Sequence, residues 1–134
     1  MRALKICLWV AGILCLLSVF GMLLPISAWQ SFAKIFGIES LPDSPVFVYA
    51  ARLMSATYAL VGVFFIILAL DPMKYGVLVL FSGVASVLLG IVCAIVGLIA
   101  KMPNLWFLCD SSSCVVLGVL ILAFWQRAKQ KAVV

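Results

Sequence analysis

Residues 75–100 read YGVLVLFSGVASVLLGIVCAIVGLIA, from Tyr75 to Ala100, without one charged side chain. A run of this length and apolarity crosses a bilayer as a helix. Its glycines, Gly76, Gly83, Gly90 and Gly97, are spaced by seven, and Ser82, Ser86, Gly90 and Ala94 place a small residue at every fourth position. Lipid tails are as apolar as leucine, so helices in a membrane associate where small residues let backbones approach. The stretch therefore predicts a spanning helix with a packing seam along Gly76, Gly83, Ser86, Gly90, Ala94 and Gly97.

The rest of the chain agrees about the solvent. Of 134 residues, 68% are hydrophobic and 10% charged, far from the composition of a domain that must cover its core in water. The formal net charge of +5 does not imply nucleic acid, because the basic residues form no stripe and sit at segment ends, where they set membrane orientation. There is no histidine, which removes the commonest zinc and haem ligand and the commonest general base. Cys7, Cys15, Cys93, Cys109 and Cys114 all fall in apolar segments without CxxC spacing, so they read as small packing residues. No metal and no cofactor is expected.

Moving outward from residue 75, Asp71-Pro72 closes a preceding apolar run over 46–70, with Asp71 as cap and Pro72 opening the first turn of the next helix. So short a connection predicts an antiparallel hairpin of spans two and three. Ser44-Pro45 reads as the N-cap and first position of span two. The first span covers 6–24 and ends at Pro25; its apolar run is longer than the core of a signal peptide and is expected to stay uncleaved. Over residues 26–36, Ile26, Trp29, Phe32, Ala33 and Phe36 recur at helical spacing opposite Ser27, Gln30, Ser31 and Lys34, and Gly37 suits a C-terminal cap. That segment is too short to span and predicts an amphipathic helix in the interface. Beyond Ala100, Lys101, Pro103 and Asn104 make a turn with Asn104 as N-cap, span four runs over 105–125, and 126–134 is a basic tail. The expected fold is an all-α membrane protein, a single domain over 1–134. Four transmembrane helices form an antiparallel bundle, with the short interfacial helix between spans one and two.

Four spans put both termini on one side, with Arg2, Lys5, Lys74, Arg127, Lys129 and Lys131; the other side has Lys34 and Lys101. The excess predicts cytoplasmic termini in a plasma membrane, the inner membrane of a bacterium. Two charges remain inside spans, Arg52 and Asp110. Each lies seven residues after a proline that opens its helix, about 10 Å below the helix start. An acid at the centre of a spanning helix costs roughly 2.5–3.5 kcal/mol on insertion scales, less towards the interface, and an opposite charge at matched depth offsets it. Arg52 and Asp110 are thus expected to form a buried interhelical pair or the centre of a ligand site. Ser55, Ser111, Ser113 and the phenol of Tyr49 or Tyr58 would complete their hydrogen bonds.

This layout resembles that of the small bacterial membrane proteins grouped as DoxX-like. The resemblance is carried by a first span followed by an interfacial segment (Leu24 to Gly37), an arginine near the head of span two (Arg52), a small-residue span three and an acid in span four (Asp110). It implies a four-helix bundle without implying an activity; the glycine heptad and the Asp110-Ser111-Ser112-Ser113 run are not part of that pattern. Catalysis is not expected. Cys109 and Cys114 point about 140° apart on an ideal helix, and no serine has a histidine or lysine base beside it. The expected roles are helix–helix interaction, as an accessory subunit or self-associating bundle held by the glycine seam, or binding and transport of a lipid or small molecule at Arg52 and Asp110. The expected partners are membrane lipid and another membrane protein or a second copy, with no nucleic acid.

Overall fold

The computed structural model describes residues 2–35, 37–42, 44–101 and 104–133, with side chains for all of these except 104, 106 and 131–133. The regular structure among the described residues is all helix, as α1 (Arg2–Leu16), α2 (Ser18–Leu23), α3 (Ile26–Ile35), α4 (Pro45–Leu70), α5 (Gly76–Ile99) and α6 (Asn104–Val133). Four spans are long and apolar enough to cross a membrane: α1 and α2 taken together, α4, α5 and α6. The fold is an all-α four-span bundle.

Local chemistry accounts for most of the boundaries. α1 and α2 are one helix interrupted at Leu17, next to Ser18, whose hydroxyl turns away to donate to the Ser55 carbonyl at 2.8 Å. Leu24 is extended before Pro25, which ends the span. α3 ends in a Schellman motif: the Ile38 amide reaches the Ala33 carbonyl at 3.0 Å and the Gly37 amide reaches Lys34 at 3.1 Å. Gly37 has φ +81°, the left-handed conformation that this cap needs and that glycine adopts without steric cost. Ser44 caps α4 by accepting from the Phe47 amide at 3.2 Å, with Pro45 in the first turn. Asp71 departs from expectation. Its carboxylate accepts from the Lys74 amide at 3.2 Å and so caps the turn, while α5 begins later, after Tyr75. The expected roles of Phe36, Asp43 and Pro103 lie outside the described residues, as does the side chain of Asn104.

The helices associate as two pairs. α4 packs along α1 and α2, and α5 packs along α6; the pairs meet mainly through α1 and α6. The predicted hairpin of spans two and three is therefore a turn whose two arms diverge to different partners. The physical reason is the placement of small residues. On α4, buried Ser55, Ala59 and Gly62 face the first span, whereas the glycines of α5 face α6. A Cβ on Gly62 would stand 2.7 Å from the Gly12 carbonyl oxygen and 2.6 Å from the Leu16 amide, so α1 and α4 cross backbone to backbone there. In the other pair, a Cβ on Gly118 would stand 2.6 Å from the Gly83 carbonyl oxygen. Neither α4 nor α5 offers the other such a face.

The α5 seam is thus filled within the chain. Trp125 covers Gly76, Leu122 covers Gly83, Val115 covers Gly90 and Phe107 covers Gly97. Half-buried Ser86 hydrogen-bonds back to the Ser82 carbonyl, and Ala94 is half-buried one turn beyond Gly90.

The densest packing is at the end that holds both termini. Leu4, Leu8 and Ala11 of α1 meet Phe65, Leu68 and Ala69 of α4, Val79 of α5, and Ile121 and Ala128 of α6. Lys5 closes this end by donating to the Leu70 carbonyl at 3.0 Å, the favourable position for a cation at a helix C-terminus. The residues expected as a basic tail continue α6 as helix to Val133, and Ala128 among them is core.

Candidate functional site

Arg52 and Asp110 do sit near the same end of the bundle, and the structure does not bring them together. Both are exposed, and no ion pair links them. The reason is azimuth. Arg52 and Tyr58 are six residues apart on α4, so their side chains leave the helix about 120° apart. Arg52 turns toward α2 and α3, while Tyr58 is half-buried on another face of α4. The expected buried pair is replaced by two separate sites of opposite charge.

The first site is a groove around Arg52. On one side of the arginine the wall is Leu24, Ile26 and Trp29 with Phe47 and Val48; on the other it is Met22 and Leu23 with Tyr49 and Leu53. The groove exists because α3 folds back on the first span. The Trp29 indole donates Nε1–H to the Gly21 carbonyl at 3.1 Å, and its ring lies so close to Gly21 that a Cβ there would meet it at 3.1 Å. Ile26, Trp29 and buried Ala33 face the bundle, whereas Phe32, expected on the same face, is 56% exposed. The result is an apolar cleft containing one guanidinium, with Tyr49 68% exposed at its rim. A long aliphatic stem lets such an arginine keep its head at the polar interface while its methylenes pack below.

The serines assigned to the pair serve other helices. Ser55 is buried against the first span and donates to Ala51 at 3.0 Å. Ser111 is buried against α5 and donates to the Gly90 carbonyl at 2.7 Å, clamping α6 to the seam. Ser113 is exposed and bonds back to the Asp110 carbonyl within its own helix at 2.8 Å. Since interhelical hydrogen bonds in bilayers contribute about 0.6 kcal/mol on average and up to about 1.7, Ser111→Ala is expected to lower stability within that range, while Ser113→Ala leaves it unchanged. Unfolding in mixed dodecylmaltoside–SDS micelles, followed by helical circular dichroism, measures both.

Asp110 lies apart from the Arg52 groove. Asp110 and Ala128 are eighteen residues apart, about five turns, so they share one face of α6. At Ala128 and Ile121 that face is buried among the other spans; at Asp110 it is open. The same continuation holds around the bundle. Leu4, Leu8 and Ala11 lead to half-buried Cys15, Phe65 leads back to half-buried Tyr58, and Ser82 and Ser86 lead to half-buried Cys93. The inward faces of these spans thus change from aliphatic to polar or polarisable residues away from the terminal end.

Comparisons with protein-family models, with curated proteins and with solved structures find no match for this chain. Among the described residues no cluster of three or more metal-ligating side chains is present, and the cysteines are free thiols.

Proposed function

We propose that this protein is a small integral membrane protein that binds the headgroup of an anionic lipid in the groove around Arg52. The observation that carries the reading is the composition of that groove. Its single charged group, a guanidinium without an ion-pair partner among the described residues, stands between two apolar walls near the end of a span. An arginine at the boundary of hydrocarbon and headgroups offers several N–H donors to a phosphate, and the walls offer contact to the upper acyl chain. Tyr49 at the rim can add a hydroxyl to the same headgroup.

Association through the α5 seam, as an accessory subunit or a self-associating bundle, is less favoured because α6 occupies that seam. The proposed activity is binding and not catalysis. The proposed setting is a bacterial inner membrane with both termini cytoplasmic, supported by Arg2, Lys5, Lys74, Arg127 and Lys129 at one end of the bundle. The Arg52 groove then opens to the outer leaflet.

Native mass spectrometry of protein taken from mixed phosphatidylglycerol–phosphatidylcholine nanodiscs tests the reading. Retained phosphatidylglycerol should exceed retained phosphatidylcholine for the natural chain, and Arg52→Gln should weaken that preference about fivefold, the equivalent of about 1 kcal/mol. Arg52→Lys keeps the charge but loses the planar fork, and should fall between the two. Equal retention of the two lipids by the natural chain, or an unchanged preference in Arg52→Gln, overturns it.

A further inference from the structure

The groove around Arg52 is lopsided. On the α3 side, between Trp29 and Ala51, the free space is about 20 Å³, room for a single water molecule. On the α2 side it is about 840 Å³, with Met22 and Leu23 on one wall and Leu53 and Ala56 on the other. We infer, building on the lipid-binding reading of this groove, that the site engages its anionic phospholipid through one acyl chain only, laid between α2 and α4. A lysophospholipid then satisfies it as fully as a diacyl lipid does.

The volume sets the number of chains. A methylene is about as large as a water molecule, whose share of liquid volume is roughly 30 Å³, so 840 Å³ holds about 28 such groups. A phosphoglycerol headgroup, its glycerol and one chain of about sixteen carbons come to roughly that many, and a second chain would need about half as much again.

The length of the groove gives the ligand a direction. Its lining on α4 runs from Pro45 to Ala56, about 16 Å along the helix, with Arg52 between them. A phosphate at the guanidinium therefore has its headgroup beside Pro45 and Tyr49 and starts its chain beside Leu53 and Ala56. Apart from the guanidinium and the Tyr49 hydroxyl, every side chain lining this side is apolar, as an acyl chain requires.

Both walls are tied in place. α2 is held to α4 by the Ser18 hydroxyl on the Ser55 carbonyl at 2.8 Å, and a Cβ on Gly21 would meet the Ser55 Oγ at 3.1 Å. α3 is held to α2 by the Trp29 Nε1–H on the Gly21 carbonyl at 3.1 Å, with Ala33 buried one turn further on. The α3 side thus stays a water-sized gap. The second chain of a diacyl lipid remains in the surrounding bilayer and gains nothing from the protein.

The test uses the full chain in phosphatidylcholine nanodiscs that carry palmitoyl-lysophosphatidylglycerol or palmitoyl-oleoyl-phosphatidylglycerol at the same mole fraction in the disc. Native mass spectrometry counts the retained lipid, and glycerophosphoglycerol serves as the headgroup without chains. The natural protein should retain the two lipids within about threefold of each other, and the chainless headgroup at least about tenfold less. Ala56→Phe fills the groove below the guanidinium and should weaken retention of both lipids about fivefold, whereas Leu60→Phe, one turn further along α4 and outside the groove, should change neither. Retention of the lyso lipid more than about threefold below the diacyl lipid, retention of the chainless headgroup equal to that of the lipids, or full retention in Ala56→Phe overturns the inference. If Arg52→Gln still loses its preference for phosphatidylglycerol in those cases, the lipid-binding reading survives; if Arg52→Gln binds as the natural chain does, both fall. Should Ala56→Phe fail to fold, the comparison of lyso and diacyl lipid on the natural chain decides.

Discussion

Gly62→Ala should lower the stability of the folded chain by about 1–3 kcal/mol, and Gly62→Leu should prevent α1 and α4 from docking. The new Cβ would meet the Leu16 amide nitrogen at 2.6 Å, the Gly12 carbonyl oxygen at 2.7 Å and the Cys15 carbonyl carbon at 3.1 Å, all of them backbone. A helix backbone cannot turn aside as a side chain can, so the two helices must separate along their crossing. Separation loosens Leu4, Leu8 and Ala11 from Phe65 and Leu68, the contacts that hold the terminal end together. It also lengthens the Ser18 to Ser55 hydrogen bond, which spans the same pair. Unfolding in mixed micelles measures the loss, with Val77→Ala as control because Val77 is 82% exposed. Equal stabilities for Gly62→Ala and Val77→Ala would show that the crossing is not close.

The local features of this fold were legible in the sequence because each depends on a few adjacent residues. Ser44-Pro45 starts a helix wherever it occurs before an apolar run, and Gly37 ends one because its φ of +81° suits no other residue as well. Four spans followed from length and apolarity alone. The glycine heptad announced a seam on α5, but a seam does not name its partner. That α6 fills it became visible only from Gly118, which completes the crossing from the other side.

Arg52 and Asp110 show where such reading stops. Depth along a helix follows from counting residues. Direction around the helix has to be judged against a neighbour, and an Arg52–Asp110 pair requires α6 as the neighbour of α4. Because α4 packs on the first span, its small face of Ser55, Ala59 and Gly62 points there, and Arg52 is displaced to the edge of that face beside α2. Turning one span toward a different partner was enough to replace one expected ion pair with two unpaired charges.

The α5–α6 crossing should respond to alanine in an order set by what each glycine faces. Gly118→Ala is expected to cost the most, about 2–3 kcal/mol, because its Cβ meets the Gly83 carbonyl oxygen at 2.6 Å and the Val87 amide nitrogen at 2.8 Å. Gly90→Ala comes next: it meets the Ser111 carbonyl at 2.8 Å and also pushes away the backbone whose serine hydroxyl clamps Gly90. Gly83→Ala faces Leu122 side-chain carbons at 2.8 and 2.9 Å, and leucine can change rotamer, so about 1 kcal/mol or less is expected. The ordering is more informative than any single value. General loss of glycine flexibility would favour all three alanines in a helix, since alanine is the better helix former by about 1 kcal/mol. Only close backbone approach reverses that sign at Gly118 and Gly90 while sparing Gly83. Because the two crossings share few contacts, Gly118→Ala and Gly62→Ala should be additive within about 0.5 kcal/mol, and a double variant in the same micelles checks it. Strong coupling between them would mean that the two helix pairs do not pack independently of each other.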